Sequence, residues 1–126
     1  MKKRVLIVDD EVDLVETLKF KLEASGFEAL TAYDGLEALS KAKNDKPDLI
    51  LLDIMLPKLN GYQICRELKS DDKYKHIPII MLTAKAQESD KFWGLETGAD
   101  EYVTKPFDSN QLVELIKRHL STAMAA

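Results

Sequence analysis

Asp9, Asp10 and Glu11 follow one apolar run, Asp53 ends a second, Thr83 follows a third, and Lys105 follows a short fourth. Carboxylates, a hydroxyl and an ammonium are the groups that phosphoryl chemistry uses. A carboxylate can attack phosphorus and form an aspartyl phosphate. Such a transfer asks the protein for positioning and for stabilisation of charge on the three peripheral oxygens of the phosphoryl group. A cation can hold one of those oxygens, Thr83 a second and Lys105 the third, with Lys105 pairing with Asp53 beforehand. Asp9, Asp10 and Asp53 brought to one place would raise one another's pKa unless a positive charge offset them. Magnesium fits that need, because it prefers oxygen ligands in octahedral geometry and keeps several waters. Two carboxylates, a backbone carbonyl and waters would satisfy it.

Each residue also has an ordinary explanation. Asp10 precedes a helix and could cap it, with Asp13 favourable in the first turn. Thr83 could start a helix, and Lys105 could be a solvated lysine. Capping accounts for one acid, not for an adjacent pair plus Asp53, which Pro57 and Gly61 separate from the next helix by a loop.

What could bring these residues together is an alternation of strands and helices. Strands are expected over residues 4–9, 27–32, 48–53, 77–82 and 101–104. Three of them are continuously apolar, as strands buried on both faces are. Helical stripes fall at Leu14, Val15, Leu18 and Leu22, at Leu36, Leu39 and Ala42, and at Ile64, Cys65 and Leu68. A fourth comprises Phe92, Trp93 and Leu95, and a fifth Leu112, Leu115, Ile116 and Leu120. Gly26 and Gly98 stand where the first and fourth helices should stop, in the left-handed cap that glycine tolerates best. The alternation predicts an α/β fold with a parallel sheet and helices on both sides. In such a sheet the strands share one carboxyl edge, where ligands bind.

The chain has 126 residues, enough for one domain. We expect that domain over residues 1–121, with 122–126 a C-terminal tail or linker stub. The net charge of −4 gives no basic field, so direct binding to nucleic acid is not expected. The single cysteine, Cys65, allows neither an internal disulfide nor a cysteine zinc site, and reads as a small helix-packing residue. A reducing cytoplasm is the natural compartment. The basic start at Lys2, Lys3 and Arg4 resembles a signal peptide, but Asp9 interrupts the apolar stretch at once. No segment approaches the roughly 20 apolar residues that span a bilayer, so no membrane partner is expected. His76 and His119 read as surface residues.

Taken together, Val8-Asp9-Asp10-Glu11, Leu51-Leu52-Asp53-Ile54-Met55-Leu56-Pro57, Gly61, Leu82-Thr83-Ala84 and the run from Gly98 through Lys105-Pro106-Phe107 closely resemble the response-regulator receiver domains of two-component signalling. The resemblance covers residues 3 to about 120. It implies a doubly wound, flavodoxin-like (βα)5 domain with strand order 2-1-3-4-5, an order the rule for such sheets illustrates with a receiver of this family. By the same resemblance Asp53 is the phosphoacceptor, and Asp10, Asp53 and the Met55 carbonyl are direct ligands of Mg2+, with Asp9 acting mainly through water. Thr83 and Lys105 contact the phosphoryl oxygens, Tyr102 is the aromatic switch residue, and the Lys105–Pro106 bond is cis. The implied role is a signalling switch that catalyses its own phosphorylation and dephosphorylation, not an enzyme with small-molecule turnover. Its donor would be a sensor histidine kinase or a histidine phosphotransfer protein. Its output would be a protein partner or fused output domain, or a phosphorylation-dependent homodimer.

The implied output surface is the fourth helix, fifth strand and fifth helix. Gly94 in the fourth helix costs about 1 kcal/mol of helix stability relative to alanine, consistent with a movable element. Trp93 would report its movement. Met55 and Lys85 would tune the lifetime of the phosphate. An aspartyl phosphohydrolase of the haloacid-dehalogenase type is disfavoured because it wants a second Asp where Met55 stands. A flavin module is disfavoured because Asp9-Asp10-Glu11 would repel its phosphate. The receiver half of a DNA-binding regulator is a third reading: Lys91, Glu96 and Asp100 resemble parts of its dimer face, but Leu115 replaces the usual arginine. A stand-alone receiver is preferred because nothing follows Ala126.

Overall fold

The structure, a computed structural model, describes residues 2–83 and 98–125. Five strands, β1 (Arg4–Val8), β2 (Glu28–Ala32), β3 (Leu49–Asp53), β4 (Ile79–Thr83) and β5 (Glu101–Thr104), form one parallel sheet in the order β2-β1-β3-β4-β5. The expected fold class and strand order are therefore observed. Helices α1 (Val12–Ala24), α2 (Gly35–Asp45) and α3 (Gly61–Lys69) connect or follow strands, and a long C-terminal helix spans Ser109–Ala125. The expected fourth helix, with Phe92, Trp93, Gly94 and Leu95, lies outside the described residues, as do Lys85, Lys91 and Glu96.

Strand side chains alternate between faces, so the apolar runs feed two cores. On one face Val5, Ile7, Leu49, Leu51, Ile80 and Leu82 meet Val15, Leu18 and Leu22 of α1 and Leu112, Val113, Ile116 and Leu120 of the C-terminal helix. On the other, Leu6, Val8, Ile50, Leu52, Ile79 and Met81 meet Ala38 and Ala42 of α2 and Ile64, Cys65 and Leu68 of α3. Burial on both faces is why β1, β3 and β4 show no polar alternation.

Local differences from the sequence expectation have local causes. β4 starts at Ile79 rather than residue 77. Ile77 N–H is taken by the Tyr74 carbonyl, and Pro78, which has no N–H, offers only its carbonyl to Ile50. Leu36 is not a core residue. It lies in the first turn of α2 and is 54% exposed, while Ala38 carries that helix's stripe with Ala42. The C-terminal helix continues to Ala125, through most of the stretch expected to form a tail. Gly26, just past the end of α1, has positive φ, as its cap position requires, and Gly98 also has positive φ; the helix that Gly98 is expected to cap lies outside the described residues.

Candidate functional site

The carboxyl edge of the sheet gathers the candidate residues. Asp53 is the last residue of β3 and Thr83 the last of β4; both are buried. Asp9 follows β1 directly, is fully buried, and donates its backbone N–H to the Ala32 carbonyl at the end of β2. Lys105 follows β5, and its backbone N–H is bound by the Thr83 carbonyl. The Lys105–Pro106 bond is cis.

Carboxylate oxygens of Asp9, Asp10 and Asp53 lie within 4.8 Å of one another, with Asp9 and Asp53 buried and Asp10 exposed. Asp10 does not cap α1. The cap position falls on Glu11, whose side chain makes no capping bond, and the Glu11 N–H is bound by Asp9 Oδ1 at 3.0 Å. Asp10 thus points its charge at the cluster rather than at the helix. Three oxygen donors at this spacing are the kind of set a hard divalent cation takes.

Lys105 is the ammonium of the site. Its Nζ lies 2.7 Å from Asp9 Oδ2, 3.4 Å from Glu11 Oε1 and 3.8 Å from Asp53 Oδ1. The expected pairing with Asp53 is therefore the longest of three, and the hydrogen bonds go to Asp9 and, more weakly, to Glu11. Desolvation alone would lower the Lys105 pKa, but the bond to Asp9 and the charges of Asp53, Asp9 and Glu11 outweigh it and hold the ammonium above its ordinary value. Burial, and then the Asp9 carboxylate, push Asp53 up to about 6 against the pull of Lys105. Among the described residues the site brings together more carboxylates than Lys105 alone can balance, a charge pattern that suits a divalent cation.

Beyond Asp53 the chain turns through Ile54, Met55 and Leu56. The Met55 N–H points at Asp53 Oδ1 across 3.4 Å, and its side chain is 75% exposed. Gly61 closes this loop at the start of α3. Its N–H binds the Ile54 carbonyl at 2.8 Å, and a Cβ there would lie 2.5 Å from the Asp53 carbonyl oxygen, which only glycine avoids. Asn60 and Gln63 form a reciprocal capping box on α3. Tyr102 is half-buried against the core on the α3 side, and its hydroxyl is buried with no hydrogen-bond partner among the described residues.

Sequence reasoning missed the part that Glu11 plays beside Lys105. It also missed a second half-buried lysine, Lys69, which binds Asp100 Oδ2 at 2.8 Å at the opposite edge of the sheet. Neither is signalled by spacing, because each depends on which side chains the fold brings into reach.

Fold and site together define a doubly wound α/β domain with an acidic, lysine-bearing centre at its switch-point edge. The chain belongs to the response regulator receiver domain family, whose pattern it matches over residues 5–117. It is 50% identical over 117 residues to the alkaline phosphatase synthesis transcriptional regulatory protein PhoP of Bacillus subtilis, covering 93% of this chain and 48% of PhoP. The chain thus spans about half the length of that curated relative. Among solved structures, a CheY-like response regulator receiver domain protein from Methanospirillum hungatei superposes with a TM-score of 0.93 at 32% identity, covering 99% of this chain and 98% of that one. The signal receiver domain of a signal transduction histidine kinase from Syntrophus aciditrophicus gives a TM-score of 0.89 at 37% identity, covering 95% and 91%. Receivers of this family are phosphorylation-dependent signalling switches that work with histidine kinases and output domains, and they generally bind Mg2+. No helix among the described residues is long and apolar enough to cross a membrane.

Proposed function

We propose that this chain accepts a phosphoryl group on Asp53 from the phosphohistidine of a sensor kinase or phosphotransfer protein, and that the modified acid switches partner binding. An Asp53 carboxylate oxygen attacks phosphorus, the P–N bond to the donor imidazole breaks, and the imidazole leaves as the neutral base, taking a proton from solvent. Asp10, Asp53 and the Met55 carbonyl would hold Mg2+ directly and Asp9 through water. When bound, the ion supplies charge neutralisation for the transferring oxygens. Lys105 and the Thr83 hydroxyl take the remaining oxygens. The observation that carries this reading is the meeting of Asp9, Asp10 and Asp53 within 4.8 Å, with Lys105 beside them and Thr83 on the neighbouring strand.

Attack of a water on the phosphorus of the Asp53 acyl phosphate would break the P–O bond, release inorganic phosphate and return the carboxylate, so self-dephosphorylation belongs to this reading. Movement of Thr83 toward the phosphate, with Tyr102 following, would carry the signal to the output surface that the family resemblance implies, of which β5 and the C-terminal helix lie among the described residues. The cytoplasm is the compartment in which such a donor would be met. An output domain on the same polypeptide, or a phosphorylation-dependent homodimer, is a second reading of the output. It is favoured by the 50% identity to a transcriptional regulator about twice this length. Direct contact of this domain with nucleic acid is not part of either reading, given its net charge of −4.

Transfer from a labelled phosphohistidine donor tests the acceptor. Label should reach the unaltered chain in the presence of Mg2+ and fail to reach Asp53→Asn. Equal labelling of Asp53→Asn would place the acceptor elsewhere.

A further inference from the structure

The segment leaving Asp53 is restrained more closely than an ordinary surface loop. Lys58 has φ +72°, and the Leu59 N–H binds the Pro57 carbonyl at 2.9 Å across it. That is a tight turn with a long side chain at a positive φ, a combination that is uncommon and persists only where the surroundings impose it. The Pro57 carbonyl also accepts the Gly35 N–H, at 3.1 Å, from the first turn of α2. Gly35 is what permits this approach, since a Cβ there would lie 2.1 Å from the Leu59 carbonyl oxygen. Lys58 completes the contact, with its ammonium 3.4 Å from Asp34 Oδ2, while Asp34 Oδ1 caps α2 through the Glu37 N–H at 2.8 Å. The cap bond foremost, with Lys58 assisting, holds the Asp34 carboxyl below its ordinary pKa, so the anchor stays charged. Ala38 and Ala42 pin α2 into the core, so the anchor is also fixed in place.

An exposed ion pair of this kind adds little to global stability. Its consequence is local. The turn it holds lies two residues beyond Met55, whose carbonyl faces the cation in the reading above. We propose that Lys58, through Asp34, is a positioning residue for the cation site: the pair keeps the 57–59 turn docked on α2 and thereby holds the Met55 backbone where the metal needs it. The inference rests on the magnesium reading of the site.

The sign of the effect separates positioning from simple electrostatics. Removing a positive charge near an acidic site should tighten cation binding, whereas loss of positioning should weaken it. Titration calorimetry of Mg2+ into the full chain is expected to show Lys58→Ala binding about three- to tenfold more weakly, below the ~10–100-fold typical of groups bonded directly to metal ligands. Lys58→Arg should restore the affinity. In the metal-free protein, hydrogen exchange at the Gly35 amide should quicken in Lys58→Ala with global unfolding unchanged. Equal or tighter Mg2+ binding by Lys58→Ala overturns the inference alone, and so does an unchanged Gly35 amide. No Mg2+ binding by the unaltered chain overturns the reading of the site and this inference with it.

Discussion

Two lysines of nearly equal burial serve opposite edges of the sheet. Lys69 and Lys105 have side chains 15% and 14% exposed. At the amino edge Lys69 binds the carbonyls of Lys75 and Ile77 and a single carboxylate, Asp100, whose Oδ2 also accepts the Ile79 N–H at 2.8 Å. Among the described residues charge there is balanced one to one, and the group ties α3, the chain before β4 and the turn before β5 together. At the carboxyl edge one ammonium faces Asp9, Glu11 and Asp53, with Asp10 close by. Burial alone does not distinguish a tether from a working site. The surplus of acids among the described residues does, and it is the feature on which the proposed cation and phosphoryl site rests.

Substitution at the two lysines should break the symmetry most clearly. In EDTA, Lys105→Ala should lose about 3–5 kcal/mol of unfolding free energy in urea titrations, the usual consequence of leaving buried acids without their partner. Saturating Mg2+ should recover much of it. A loss confined to about 1 kcal/mol would mean that the carboxyl edge is no more strained than the amino edge.

The charge surplus also predicts a pH signature. Asp53 is raised from 3.8 to about 6, so it contributes stability in the protonated form that is lost as pH rises through about 6. The shift corresponds to about 3 kcal/mol. Without metal, Asp53→Asn should therefore gain about that much relative to the unaltered chain between pH ~4 and ~7. A flat difference between the two unfolding curves would show that Asp53 is not under this load. The same proton competes with the cation, so Mg2+ affinity measured by calorimetry should fall by about tenfold per pH unit below that pKa.

Cation binding should stabilise only one edge. Mg2+ at about 100 times its dissociation constant should add about 2.7 kcal/mol, read as a rise in thermal midpoint. Lys69→Ala should keep that increment intact while costing about 1–2 kcal/mol in both the presence and absence of metal. Loss of the increment in Lys69→Ala would mean that the two edges are coupled through the sheet.

Much of this was legible in the chain itself. β1, β3 and β4 are continuous apolar runs because both faces of each are covered, and that pattern survives in one dimension. Their carboxyl ends share an edge in any parallel sheet, so the grouping of Asp9, Asp10, Asp53, Thr83 and Lys105 followed from strand direction alone. Helical period found the buried stripes of α1, α3 and the C-terminal helix, but it misplaced Leu36, because which side of a helix's first turn faces the core depends on the neighbouring layer. Capping was the alternative to the acidic cluster for Asp10, and the structure goes the other way: the cap position falls on Glu11, and Asp10 joins Asp9 and Asp53.

The order of residue types along 126 positions determined the layered parallel architecture, the family and the set of acids that gather at the carboxyl edge. Tertiary structure decided the rest: that Lys105 bonds Asp9 in preference to Asp53, that Lys69 takes Asp100, and that Lys58 turns through a positive φ to reach Asp34. Hydrophobic periodicity is a property of neighbours in sequence and can be read along it. The partner of a charged side chain is set by burial, distance and competing charges across segments as many as 96 residues apart, and those come into being only when the chain has folded.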